Sequence, residues 1–263
     1  MPRGRRRNGV IGQIWGAFVE HNLLTYAAAI AFQGLIALVP LTLLSLGVLG
    51  ATGNRQLWTG HVAPAIRARL TPPVFHGIDF TARRILDHGT AGLVVVAILL
   101  SIWYLTAATR AVIEALDQIH DVEDTRSWKV RILTALLLGA ASGGCLFGAA
   151  LIAVGGPRGV PLGLVRWVAA VALVSLVVLL LLRFAPAQRP ETRWATAGAG
   201  LIIVSWVVAS LLFRLWVTYV ADFKSPIGTM TTLLVLTSYV FVSAAVFLVG
   251  AQLDELLRKE RSA

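Results

Sequence analysis

Of the 263 residues 57% are hydrophobic and 14% charged, where soluble domains carry about 25% charged residues, so the composition excludes a soluble domain and makes this an integral membrane protein with a mean hydropathy of +0.78. The single cysteine, Cys145, excludes an intramolecular disulfide, and the length suits one bundle. The net charge of +10 leaves nucleic acid and anionic lipid as partners, to be separated by where the charges fall.

Residues 1–22 begin with the basic tail MPRGRRRNG, after which Ile11, Ile14, Trp15 and Phe18 recur at steps of three and four. This predicts an amphipathic helix lying in the membrane interface, with the arginines near anionic headgroups. A plain helical extension of the first span fits the same pattern. The apolar run that follows is longer than the roughly 7 to 15 residues of a signal-peptide core, so no cleavage is expected.

The first span, Leu23 to Gly50, carries no charge, and as a helix it would reach about 42 Å, beyond the ~30 Å hydrocarbon core. Tyr26, Gln33 and Pro40 stand seven apart within it and share a face. Gln33 has an amide that needs partners, and Pro40 leaves the Ile36 carbonyl without its helical donor, so this face is expected to turn toward protein or water. Residues 51–90 are more polar. Their apolar spacing predicts two short amphipathic helices broken at Thr71-Pro72-Pro73, which cap the bundle, rest on the membrane surface or, in the plainer reading, form a structured loop.

Five further apolar runs, about 91–116, 130–154, 162–184, 195–221 and 227–253, are each long enough to cross a bilayer. The fold class is therefore all-α: a polytopic bundle of six transmembrane helices over 23–257, with short amphipathic helices at the N-terminus and in the first extracytoplasmic segment, and a tail at 258–263. The side holding both termini carries 13 Lys/Arg and the other side eight, five of them in the long 51–90 segment. The charge rule then puts both termini in the cytoplasm. Topology accounts for the basic balance, and no nucleic-acid partner is expected.

In the third span, Gly139 and Gly143, and again Gly144 and Gly148, have the GxxxG spacing that permits close helix approach. Spacing alone leaves open whether that contact lies within one chain or in a homo-oligomer. Charges at depth are the stronger functional pointers. Arg110 and Glu114 can pair at i,i+4, with Asp117 and Asp121 continuing toward the helix end. Arg214, the deepest formal charge, lies about 10 Å below the end of the fifth span, and either faces a cavity or snorkels to the outer interface. The acidic cluster Glu114, Asp117, His120, Asp121, Glu123 and Asp124 has no metal-site spacing and reads as a solvated helix end. There is no Gly-rich phosphate loop, no GxSxG and no HExxH, so neither an enzyme nor a metal or cofactor is expected.

Several stretches carry an identity signal. LLRFAPAQRPETRWATAGAG leads into the fifth span, YVADFKSPIGTM leads toward VFLVGAQLDELLRKE at the end of the sixth, IAFQGLIALVPL lies in the first, and the Trp103 to Trp128 region belongs with them. Together they resemble the YihY/BrkB family of bacterial inner-membrane proteins over nearly the whole chain. Matching positions include Pro40, Arg126, Arg183, Pro186, Gly200, Tyr219, Gly228 and Gly250-Ala251. The closing motif of the family usually reads Gly-Ala-Glu, and here Gln252 replaces the acid, so a carboxylate role there would have to pass to Asp254 or Glu255. The resemblance implies six helices in a bacterial cytoplasmic membrane. Its members have been associated with serum resistance and envelope lipid handling, and formerly with a ribonuclease label that the residues here oppose.

Three functions remain in view. The preferred one is a transporter or flippase-like protein for an envelope lipid or small solute, with a polar path drawn from Tyr26, Gln33, Pro40, Arg110, Glu114, Asp117, Arg214, Tyr219 and Gln252. The second is a non-transporting scaffold in which these groups only satisfy each other, and the last is a membrane-associated ribonuclease.

Overall fold

The computed structural model describes residues 12, 16, 18, 20–51, 56, 58–67, 72–88, 91–122, 125–155, 160–187, 197–220 and 225–262. Eight α-helices are used below: α1 Leu23–Ala51, α2 Ala63–Arg67, α3 Pro72–His88, α4 Ala91–Ile119, α5 Trp128–Gly155, α6 Val160–Phe184, α7 Ala197–Tyr219 and α8 Pro226–Ser262. Six of them, all but α2 and α3, are long and apolar enough to cross a membrane. Among the described residues there is no strand. The tail and most of the apolar stripe expected before the first span lie outside the described residues. Phe18 is described, and it is buried in the bundle core rather than presented to an interface.

The spans alternate in direction, so the bundle has a base, where α1 begins and α8 ends, and a crown at the opposite end. A wide helical turn at Trp58–Val62, followed by α2 and α3, covers the crown end of α1, where Trp58, Phe75, Ala82 and Leu86 pack against Leu46. Asp79 fixes this cover by accepting bonds from Trp58 Nε1 (3.0 Å) and Arg83 Nε (2.8 Å). Partial desolvation pushes the Asp79 carboxyl up, and the bonds from Trp58 and Arg83 outweigh it, holding the group below the usual carboxylate range. The helices expected on either side of Thr71-Pro72-Pro73 are present, with α3 beginning at Pro72 as proline favours.

Around the bundle α1 packs on α4 and α8, α4 on α5, α5 on α6, and α7 on α8, while α6 meets α7 only sparingly. The larger of the two buried clusters lies toward the base. It is built from Leu23 and Ala27 of α1, Ile113 and Leu116 of α4, Ala135 and Leu138 of α5, Val178 and Leu181 of α6, Ala199 and Ile202 of α7, and Leu248 and Ala251 of α8. At 1.5 Å per residue those of α1 and α4–α7 lie within about 15 Å of the base ends of their helices, and those of α8 about 17–21 Å from Ser262. Toward the crown, α7 has no buried side chain after Ile202, and α8 has none among its described side chains before Ala244. A helix sealed into a bundle buries a residue every three or four positions, so the crown half of α7 is not enclosed by the bundle. It keeps α8 through the stacked Phe213 and Tyr239 rings, the Ser210–Tyr239 hydroxyl contact at 2.8 Å and the Trp206 Nε1 bond to the Ser243 carbonyl.

Two pairs of glycines permit close approach between neighbouring spans. An added Cβ on Gly139 of α5 would lie 3.0 Å from Thr109 Oγ1 and 3.1 Å from the Leu105 carbonyl of α4, and one on Gly143 would meet the Leu105 side chain. Gly198 of α7 and Gly250 of α8 come closer. A Cβ on Gly198 would overlap the Gly250 carbonyl and sit 2.6 Å from Asp254 Cγ, and one on Gly250 would be 2.8 Å from the Gly198 carbonyl. Because backbone atoms cannot swing aside, Gly198→Ala and Gly250→Ala are each expected to cost about 1–3 kcal/mol or more. Gly200→Ala, with nothing within 4 Å of its added Cβ, is expected to be neutral or slightly stabilising. Thermal unfolding of the detergent-purified variants checks the ranking, and a Gly200→Ala loss equal to that of Gly198→Ala would contradict it.

Candidate functional site

The base carries a network of charges that ties five elements together. It begins at the end of α4, where His120 and Asp121 leave the helix in a turn closed by Val122 N–H bonding the Asp117 carbonyl (3.0 Å) and Asp121 N–H bonding that of Gln118. Asp121 adopts the left-handed conformation (φ 53°), in a position usually given to glycine that short polar side chains also tolerate. Three acidic groups at this end of α4 go to three different partners. Glu114 accepts from Arg131 of α5 at 2.8 Å, with Arg110 more distant at 3.9 Å. Asp117, only 6% exposed, accepts the Ala187 backbone N–H at 2.7 Å, with the Arg126 guanidinium 3.7 Å away. Arg126 also donates to the Ala185 carbonyl, so the α4–α5 connection is pinned to the chain leaving α6. Asp121 binds Lys259 of α8 at 2.9 Å and faces His21 at 3.7 Å.

From the other side, α8 contributes Asp254 and Glu255. Asp254 Oδ1 accepts the Gly198 N–H at 2.7 Å, supplying a negative charge at the first turn of α7, where the backbone donors have no helical partner. The Glu255 side chain is fully buried and takes both Arg258 nitrogens, at 2.7 and 2.8 Å, with Lys259 at 3.5 Å and His120 at 3.8 Å. His120 Nδ1 lies 2.7 Å from the Leu116 carbonyl. A carbonyl only accepts, so this nitrogen carries the proton and Nε2 is the atom turned to Glu255. The Lys259 bond, aided by the nearby histidines and outweighing partial desolvation, holds the Asp121 carboxyl below its usual range.

The solvated helix end expected for the acidic cluster is therefore corrected at Asp117. That residue is buried, because the chain after α6 folds back over it and α8 continues to Ser262 instead of stopping at the membrane surface. Glu123 and Asp124 lie outside the described residues. Among the described residues no three His, Cys, Asp or Glu side chains gather as a metal site would require.

The other candidates are dispersed. On α1, Pro40 is buried and Tyr26 half-buried, while Gln33 is half-buried with an Oε1 that is sealed off and unpartnered. Gln252 is 2% exposed, and its Oε1 is likewise unpartnered. Arg110 is half-exposed, and Tyr219, 81% exposed, faces away from the bundle. Arg214 joins no base contact. Its side chain is exposed near the crown, with the guanidinium carbon 5.3 Å from the centre of the Trp167 ring of α6. Of the glycines, Gly139 and Gly143 make the close contact with α4. Gly144 meets nothing and Gly148 only an ordinary Leu173 contact at 3.7 Å, so the second GxxxG is not a close-packing pair within this chain. Gly143 and Gly144 instead line an apolar groove of about 240 Å³ between α1 and α5, with Ser101 of α4 in its wall. Sequence reasoning did not find Gly198, His21, Arg131 or Lys259 as site residues. Among these only Gly198, two residues before a family-matched glycine and at a helix start, carried a signal.

A family model described as Virulence factor BrkB matches residues 14–263. A putative ribonuclease-like protein YfkH of Bacillus subtilis is 21% identical over 264 residues, with 95% of each chain covered. A UPF0761 membrane protein of Chromohalobacter salexigens is 28% identical over 94% of this chain and 62% of its own length, and one of Xanthomonas campestris pv. campestris is 25% identical over 95% and 61%. This chain thus spans about three fifths of those two relatives. No solved structure matches it.

The base network separates into contacts of unequal weight. Asp117→Ala removes a buried acceptor from two partners and is expected to cost about 1–3 kcal/mol. Asp121→Ala breaks an ion pair whose carboxylate is 61% exposed, and is expected to cost less than about 1 kcal/mol. Because the folded Asp121 pKa lies below 3.8, its contribution is present above the unfolded value and is lost as pH falls through the folded one. Unfolding from pH 7 to 3 should therefore show the wild type losing its margin over Asp121→Ala only at the acid end. A larger loss for Asp121→Ala than for Asp117→Ala would contradict the assignment.

Proposed function

The chain belongs to the virulence factor BrkB family of membrane proteins, and on that basis we propose that it is a transporter or flippase-like protein that admits an envelope lipid or small amphiphilic solute from the crown side. One observation carries this reading: core and charge network close the base, while the crown half of α7, held to α8, has no buried side chain and meets α6 only sparingly. A bundle closed at one end and parted between two neighbouring helices at the other has the form that lateral entry from the bilayer requires. The reading is of transport rather than catalysis. The acids of the base are engaged by arginines, a lysine and backbone N–H groups, which suits a clasp better than a general acid or base.

The Lys/Arg asymmetry supports a base in the cytoplasm and a crown on the outer face of a bacterial inner membrane. Reporters fused after Ala263 and within residues 121–126 are then expected to read as cytoplasmic, and one near Pro72 as external. An external C-terminus would remove this orientation. For transport itself, the purified protein in vesicles containing a fluorescent phospholipid is expected to speed exchange between leaflets above the protein-free rate. Vesicles with and without protein that behave alike would leave a scaffold as the better reading.

A further inference from the structure

The seam between α6 and α7 is bridged near the crown by Arg214 and Trp167, and we propose that this pair is a binding site for a phospholipid: the Arg214 guanidinium takes the phosphodiester, and an acyl chain lies along the seam below it. The inference rests on the transport reading only for its purpose, not for its chemistry.

Depth comes first. Arg214 is five residues from the end of α7 and Trp167 seven from the start of α6, which places both about 8–10 Å inside the crown ends of their helices. That is the level of the polar–apolar boundary, where tryptophan collects and lipid phosphates are found. The contact is also unlike the pairs Lys129–Trp128 and Arg183–Phe184, which join chain neighbours. This one joins two spans that otherwise touch little.

Valence comes next. The contact with the Trp167 ring is a cation–π approach, with the guanidinium carbon 5.3 Å from the ring centre, and it uses none of the N–H donors as a hydrogen bond to an oxygen would. Among the described residues Arg214 has no carboxylate partner. At this boundary an exposed guanidinium lies level with lipid phosphates, and its planar fork of donors fits two oxygens of one phosphate. The charge therefore selects an anionic ligand, and the bilayer itself supplies one at this level.

The seam selects the rest of the ligand. On α7, Leu211 and Val207 lie three and seven residues toward the base on the face of Arg214, and both are exposed. On α6 the corresponding positions below Trp167 are Ala170, Val171 and Val174. An apolar stripe beneath a cation suits a diacyl phospholipid and offers nothing to a free anion.

The test uses native mass spectrometry of the full chain released from detergent, titrated with phosphatidylglycerol and with uncharged diacylglycerol. Arg214→Leu is expected to weaken phosphatidylglycerol binding about tenfold or more and leave diacylglycerol binding unchanged. Arg214→Lys should keep part of the affinity, and Trp167→Leu should weaken it with the charge still present. Thermal unfolding must place each variant within the folded population of the wild type. Undiminished phosphatidylglycerol binding by folded Arg214→Leu overturns the site, as does displacement of the lipid by millimolar inorganic phosphate. Wild-type protein that binds lipid through Arg214 and exchanges none between leaflets upholds this site and overturns the transport reading. Leaflet exchange together with Arg214-independent binding does the reverse.

Discussion

The contact on which the rest of the bundle depends is the crossing of α7 and α8 at Gly198 and Gly250. Two backbones touch there with no room for a methyl group between them, and Asp254 accepts the Gly198 N–H across the same point. Within a bilayer, apolar side chains gain little by leaving lipid for one another, so close packing and hydrogen bonds decide where helices hold. This crossing has both. It fixes the base end of α7, and the Phe213–Tyr239 and Trp206–Ser243 contacts then keep the helix beside α8 along its length. Contacts with α6 are sparser, while α8 also packs on α1, so among the described residues α7 is joined to the bundle chiefly through α8 and stands apart from α6.

The charge network at the base is the counterpart of that separation. Its bonds run from α4 to α5, from α4 to the chain after α6, and from α4 to α8. The end of α4 is thus a hub, and the unusual backbone at Asp121 makes it one by turning the side chain out of the helix axis toward Lys259. The buried members, Asp117 and Glu255, carry most of the energetic weight, because removing a partner from a buried charge leaves a desolvated group behind. The exposed members mainly set register.

The six spans were legible because each is an uninterrupted apolar run whose length alone implies a crossing, and the ends agree with the helices within a few residues, apart from α8. At the start of the last span Ser225 Oγ accepts the Gly228 N–H as a helix cap does. The base network was not legible. Asp121 and Lys259 are 138 residues apart, and no periodicity along one helix reveals a partner on another. Glu114 shows the limit well, since i,i+4 spacing points to Arg110 while the shorter bond goes to Arg131. The two GxxxG pairs look alike in sequence and differ in the fold, because only Gly139 and Gly143 face the neighbouring helix closely. The family pattern had an acid at position 252, and here two acids further along the same helix do the bonding, with the Gln252 amide buried beside them.

The unbroken run of α8 to Ser262 has a mechanical consequence. Advancing a helix by one residue moves it only about 1.5 Å but turns it about 100°. Asp254, Glu255, Arg258 and Lys259 stand on one rigid rod, and Asp254 and Lys259 bond groups on α7 and α4 respectively. A screw motion of even one residue would carry both bonds off their partners together. The rod is therefore keyed against rotation: α8 can turn only by releasing α7 and α4 together.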